Sequence, residues 1–224
     1  MSIRAAATLA VLLLAAAPAA LADPAPRHGV GLRLGLFLPV APLPEVSVEP
    51  DVAAELSLAR DLTPWLDLEL TAGLARAASR HLTVFFEDPA SPSGALTPVD
   101  TQKRFTTVPL VARLRVAWPE RLALAGWAVR PYLAAGGGAV WAQEAWSAPQ
   151  RFAYSGWGAE WNAGLGAELR PPAGTVLGLE ARWRSARVTL HHRSGTPTLA
   201  GSLPETQRAS LGGGLILAQA GWRF

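Results

Sequence analysis

LDLELTAGL, Leu66 to Leu74, sets Leu66, Leu68, Leu70, Ala72 and Leu74 on one parity and Asp67, Glu69, Thr71 and Gly73 on the other. A period of two puts alternate side chains on opposite faces of an extended strand. A helix would scatter the two acids around its circumference.

The same rhythm recurs on both sides of this stretch. HGVGLRLGLFLP, His28 to Pro39, opposes Val30, Leu32, Leu34, Leu36 and Leu38 to Gly31, Arg33, Gly35 and Phe37. From about Val52 to Ala59, Ala54, Leu56 and Leu58 oppose Glu55 and Ser57. Thr106 to Trp118 sets Val108, Leu110, Ala112, Leu114 and Val116 against Pro109, Val111, Arg113 and Arg115. Gly156 to Leu169 alternates Trp161, Ala163, Leu165, Ala167 and Leu169 with Glu160, Asn162 and Glu168. Leu177, Leu179, Ala181 and Trp183 alternate with Glu180, Arg182 and Arg184. The last stretch, from about Ala209, opposes Ile216, Ala218, Ala220, Trp222 and Phe224 to Gln219, Gly221 and Arg223. RPYLAAGGGAVW, Arg130 to Trp141, is glycine-rich and its parity stays open.

The connections alternate in length as well. Residues 40–51, 75–105, 142–155 and 185–207 form long ones, and 60–64, 119–129 and 170–175 short ones. Short turns at one end and long loops at the other predict an all-β, up-and-down antiparallel barrel of eight strands, with both termini at the short-turn end. In the second long connection, Leu82, Val84 and Phe86 keep the strand period and predict a hairpin above the barrel.

Alternation alone fits a barrel with its apolar face inward or outward, and the charges decide between them. The polar parity carries Arg33, Arg113, Arg115, Arg182, Arg184 and Arg223 against Glu55, Asp67, Glu69, Glu160, Glu168 and Glu180. Matched charges among small residues suit a narrow lumen in which Arg33, Glu55, Asp67, Glu69, Arg113, Arg115, Glu168, Glu180, Arg182 and Arg184 form an ion-pair network. The opposite face is Leu, Val, Ala and Trp on every stretch, more contiguous apolar surface than water tolerates, so it faces lipid. Trp65, Trp118, Trp127, Trp141, Trp157 and Trp183 lie near the ends of the stretches, where interfacial girdles form. An arginine at Leu68 is therefore expected to harm insertion more than a glutamine at Glu69.

The chain of 224 residues holds 20 Lys+Arg against 17 Asp+Glu and no Cys. That length suits one domain. The absence of cysteine excludes disulfides, thiolate metal sites, a Cys nucleophile and a lipid-modified N-terminal Cys. The only lysine is Lys103, and the arginines are dispersed rather than blocked, which argues against a nucleic-acid partner. Met1 to Arg4 is a cationic start, Ala5 to Ala17 an apolar run, and Ala20-Leu21-Ala22 a small-residue site before Asp23. These predict a signal peptide over residues 1–22, cut between Ala22 and Asp23, and a barrel domain over 23–224.

The signal peptide, RPYLAAGGGAVW, TTVPLVARLRV, WNAGLGAELR, VLGLEARWR and the terminal GWRF resemble the small eight-stranded outer-membrane β-barrel superfamily, the OmpA-like and OmpX-like barrels of Gram-negative bacteria. The resemblance implies export through the periplasm into the cell outer membrane, with outer-membrane lipid around the barrel. It implies that Trp222 and Phe224 serve as the assembly signal read by the barrel-assembly machinery. It implies no enzyme activity and no cofactor, and a structural or surface-interaction role in which the loops contact an unidentified surface ligand. So narrow an interior is filled by side chains, so no pore is expected. A conduit for small solutes or hydrophobic molecules is the alternative, and it requires a gap in the lumen packing. A further alternative lies in His192-Arg193-Ser194 with Glu205, which is similar to the His-x-Ser and downstream Glu of outer-membrane lipid A deacylases. That likeness implies His192 as base, Ser194 as nucleophile and Glu205 as orienting acid. Gly195 stands where that family has an oxyanion-stabilising Asn, and the segment reads as loop. Adjacent His191 and His192 are read as solvated loop residues rather than metal ligands, and no metal site is expected. The triple glycines at 136–138 and 212–214 lack the Lys-Ser/Thr of a phosphate cradle and are read as lumen spacers.

Overall fold

The computed structural model describes residues 28–40, 48–79, 82–87, 96–118, 122–124, 127–146, 153–170, 174–194 and 205–224. The signal peptide expected over residues 1–22 and its cleavage site at Ala22 and Asp23 lie outside the described residues. Eight long strands build the barrel: β1 His28–Pro39, β2 Asp51–Thr63, β3 Leu66–Ser79, β4 Lys103–Ala117, β5 Trp127–Trp146, β6 Ala153–Arg170, β7 Thr175–Ser194 and β8 Thr206–Arg223. Each pairs antiparallel with its neighbours in sequence, and β8 returns to β1. The seam is sealed to its end, because the His28 N–H donates to the Phe224 carbonyl and the Phe224 N–H to the His28 carbonyl, both at 2.9 Å. Closure satisfies the backbone groups that an open edge would leave bare in lipid. The turn after β6 includes Gly174, whose φ of 81° favours glycine.

Alternation becomes inside and outside. On β7, Leu179 is 66% exposed while its neighbour Glu180 is 2% exposed. The glycine-rich stretch whose parity was open resolves with Tyr132, Ala134, Val140 and Ala142 inward and Leu133 outward. Its glycines at 136 and 138 are lumen spacers: a Cβ at Gly136 would lie 2.2 Å from the Ala112 carbonyl oxygen, and one at Gly138 2.1 Å from that of Leu110.

Two expectations need correction. The expected loops 142–155 and 185–207 are largely strand, since β5 runs on to Trp146, β6 begins at Ala153 and β7 continues to Ser194. There the pattern inverts. Gln143, Ser155, Arg187, Thr189 and His191 occupy the outward parity, while Val140, Ala142, Tyr154, Val188 and Leu190 are buried inside. A strand that leaves the bilayer meets water on its outer face, so its apolar side chains move inward, and a search for apolar outward positions stops at the membrane. The second correction follows: His191, His192 and Ser194, read as loop, belong to β7.

The expected hairpin is present as Leu82–Glu87 paired with Leu96–Thr101. Two further short strands, Val48–Glu49 and Leu122–Leu124, pair with β3 and β5. The β3–β4 ladder lapses at Gly73 and Leu74, opposite Val108 and Pro109, and resumes at Ala75 with Thr107. Pro109 lacks the N–H that a ladder bond needs.

Candidate functional site in the barrel lumen

The turn-side half of the lumen is a lattice of guanidinium and carboxylate groups. Glu69 on β3 is fully buried and touches Arg33, Arg113 at 3.1 Å and Arg115 at 3.5 Å. Glu180 on β7 takes Arg113 at 2.5 Å, Arg182 at 2.7 Å and a hydrogen bond from the Tyr132 hydroxyl at 3.0 Å. Arg182 also grips both oxygens of Glu55, at 2.7 and 2.9 Å. Glu168 pairs with Arg115 and with Arg170 at 2.7 Å. Arg33 donates to Gln219 at 3.2 Å, and the Arg115 guanidinium lies 4.0 Å from the Tyr132 ring centroid.

All eight barrel strands contribute charges to this lattice, β5 through Arg130 and β8 through Arg223, which meets Glu168 at 3.7 Å, so it crosses the lumen rather than lining it. Ion pairs out of water survive when several hydrogen bonds satisfy each charge. Asp67 and Arg184 find partners absent from the expected network. Asp67 pairs with Arg223 at 3.0 Å and Arg130 at 3.6 Å, and Arg184 with Glu160 at 2.6 Å. Arg130 was missed because its stretch had no assigned parity.

Above the lattice the lumen turns apolar. One cluster is Phe37, Ala53, Ala75, Ala77, Leu215 and Leu217, with Phe105 packed on it. A second is Val140, Ala142, Tyr154, Ala186, Val188 and Leu190. Between β1, β3, β4 and β8 lies a cavity of about 180 Å³, lined chiefly by Phe37, Ala75, Ala77, Phe105 and Leu211. Lys103 and Glu144, paired at 2.8 Å, stand at its edge, and Gln207 donates to Glu144 at 2.9 Å. Burial first, and the Glu144 carboxylate second, push the pKa of the Tyr154 hydroxyl up, so it stays neutral. Sequence reading missed this chamber. The signal was present in Phe37 among Gly and Arg on the inward parity, and in the inverted polarity of β5 and β7.

Of the deacylase-like trio, the structure describes the side chains of His192 and Glu205, and no hydrogen bond joins them. His192 is on the lumen side of β7, its ring edge-on to Tyr154 at 5.4 Å. Its backbone N–H donates to the Glu205 carbonyl at 2.9 Å, and its Nε2 has no hydrogen-bond partner among the described residues. Glu205 is exposed, and the Ser194 side chain lies outside the described residues. His191 and His192 sit on opposite faces of one strand, so they cannot point at one ion. Among the described residues no cluster of His, Asp or Glu could hold a metal. Trp222 and Phe224 lie outward and exposed beside the seam.

A closed barrel of eight tilted strands, charged within and clad in Leu, Val, Ala and Trp, is a transmembrane β-barrel. No family model matches the chain, and no curated protein matches it in sequence. Solved structures share its fold. The outer membrane protein OprG of Pseudomonas aeruginosa matches with a TM-score of 0.53 at 10% identity, over 89% of this chain and 96% of that one. Neisserial surface protein A matches with a TM-score of 0.51 at 10% identity, over 88% and 97%. Ail of Yersinia pestis covers 89% and 99% at 13% identity, with a TM-score of 0.45. The fold is that of the small eight-stranded outer-membrane barrels.

Proposed function

We propose that the protein is a non-conducting outer-membrane barrel that acts at its outer end, in a structural or surface-interaction role and not as an enzyme, with its loops meeting a surface ligand. The lattice across the lumen carries this reading: Arg33, Glu69, Arg113, Glu180, Arg182 and Glu55 are linked wall to wall and buried. Ions would have to break several pairs to pass. Refolded protein in a planar bilayer is expected to show no steady current, and the double variant Glu69→Ala/Arg113→Ala a small one. Steady conductance by the unaltered protein would sink the proposal.

The outer chamber supports a second reading, that a small apolar molecule lodges there. Its volume of about 180 Å³ is on the scale of one small aromatic molecule. The lapse in the β3–β4 ladder beside Ala75 and Thr107 offers a sideways approach from lipid. Filling the chamber with Ala209→Trp is expected to abolish binding of a small apolar fluorophore such as 1-aminoanthracene. Undiminished binding by that variant removes this reading.

A further inference from the structure

Lys103, the only lysine of the chain, ends in a cage at the loop-side rim of the barrel. It opens β4 in register with Trp146 of β5, and Phe105 is in register with Glu144, so four inward-parity side chains form a block across two adjacent strands. The Lys103 ammonium lies 2.8 Å from a Glu144 carboxylate oxygen, 4.8 Å from the centroid of the Phe105 ring and 5.0 Å from that of Trp146. A carboxylate beside two aromatic rings selects a cation, because the acid supplies the countercharge and the rings their electron-rich faces.

The carboxylate is fixed and the lysine is not. The Glu144 side chain is 2% exposed, and each of its oxygens takes a neutral donor. The Trp146 indole N–H reaches one oxygen at 2.6 Å, and the Gln207 amide of β8 reaches the other at 2.9 Å. The Lys103 side chain is 25% exposed on a flexible four-carbon stem, so its ammonium can turn to water at small cost. Glu144 then keeps a hydrogen bond on each oxygen and presents a buried negative charge that a second cation can neutralise.

The cage opens onto the apolar chamber. Lys103, Phe105, Glu144 and Gln207 line the same cavity of about 180 Å³ as Phe37 and Leu211. That is room for one six-membered ring on a short chain. Charge then sorts the guests. A neutral molecule enters beside an ion pair that stays in place, and an anion meets Glu144. An amine whose tail fills the chamber can take the place of the Lys103 ammonium.

We propose that the chamber is a binding site for a small amphiphilic amine. Its ammonium is held by Glu144, Phe105 and Trp146, its apolar part packs on Phe37 and Leu211, and Lys103 is the built-in competitor that it displaces. The proposal rests on the reading of the chamber as a lodging for a small apolar molecule, and adds the charge of the guest and the residue that regulates its entry.

Displacement of 1-aminoanthracene from the refolded barrel in detergent tests it. The probe is 2-phenylethylamine, protonated at neutral pH, with 2-phenylethanol and 3-phenylpropanoate as its neutral and anionic counterparts. The amine is expected to compete about tenfold better than the alcohol, the worth of one charge-assisted hydrogen bond, and the carboxylate not at all. Lys103→Met, which empties the cage, should tighten the amine about tenfold further relative to the alcohol. Glu144→Gln should erase the preference for the amine, and Lys103→Met/Glu144→Gln should not regain it. Equal competition by amine and alcohol, a preference that survives Glu144→Gln, or a weaker amine in Lys103→Met overturns the proposal. Heat-modifiable migration verifies that each variant is folded, and if Glu144→Gln is not, the direction of the shift in Lys103→Met decides alone. Absence of 1-aminoanthracene binding to the unaltered barrel would remove the chamber reading and this proposal together. Its presence without any preference for the amine would remove this proposal only.

Discussion

Glu69 shows how much burial changes the meaning of one carboxylate. Parity places it inside, which suggested that a glutamine there would be milder than an arginine at Leu68. The structure seats it against three guanidiniums, so Glu69→Gln leaves buried positive charge uncompensated. The expected loss is about 3–5 kcal/mol, more than an arginine at Leu68 costs, because Leu68 lies two residues from the turn end of β3 and the ~2–4 kcal/mol of a midplane arginine falls toward the interface. Reversible urea unfolding in lipid vesicles measures both. The two differ in kind, Leu68→Arg lowering insertion and Glu69→Gln lowering the stability of barrels already inserted. Gly136 makes a second residue-scale prediction. An alanine there drives its methyl into the Ala112 carbonyl and the Arg113 side chain, 2.2 and 2.6 Å from an ideal Cβ. A destabilisation of about 1–3 kcal/mol is expected from overpacking in the same assay.

At the scale of the strand, β8 carries the closing seam. Phe224 and Trp222 face outward, while Arg223 faces in and pairs with Asp61 and Asp67. We expect Phe224→Asp to slow the appearance of heat-modifiable protein in a pulse-chase experiment, since it puts a charge at the interface beside the last seam bonds. Arg223→Gln removes a cation from Asp61 and leaves Asp67 with Arg130. It should leave the assembly rate unchanged and lower resistance to urea. Equal assembly rates for Phe224→Asp and the unaltered chain would make the terminal aromatic incidental. β7 shows the limit of pattern reading. Its lower half, Leu177 to Arg184, is legible because lipid demands apolar side chains outside. Its upper half, to Ser194, was lost because water reverses the demand while the period of two continues.

The whole barrel is held by closure and by two interiors of different chemistry, a charged lattice below and an apolar chamber above. Such a molecule should migrate differently on denaturing gels before and after boiling, and its far-UV dichroism in detergent should be β-dominated. A helical spectrum, or a mobility indifferent to heat, would contradict the fold.

Strand number, antiparallel order, termini at the turn end and the inward placement of the charges were all legible in the chain. Each follows from a local period and from the cost of a charge in lipid, and neither needs a partner to be identified. Which charges meet was decided by tertiary structure alone. Asp67 and Arg184 are bonded to Arg223, Arg130 and Glu160 because the stagger and tilt of eight strands bring distant positions to one height in the lumen. The apolar chamber has the same origin. Phe37, Phe105 and Leu211 are far apart in sequence, and no local pattern joins them until the closed ring turns them toward one space.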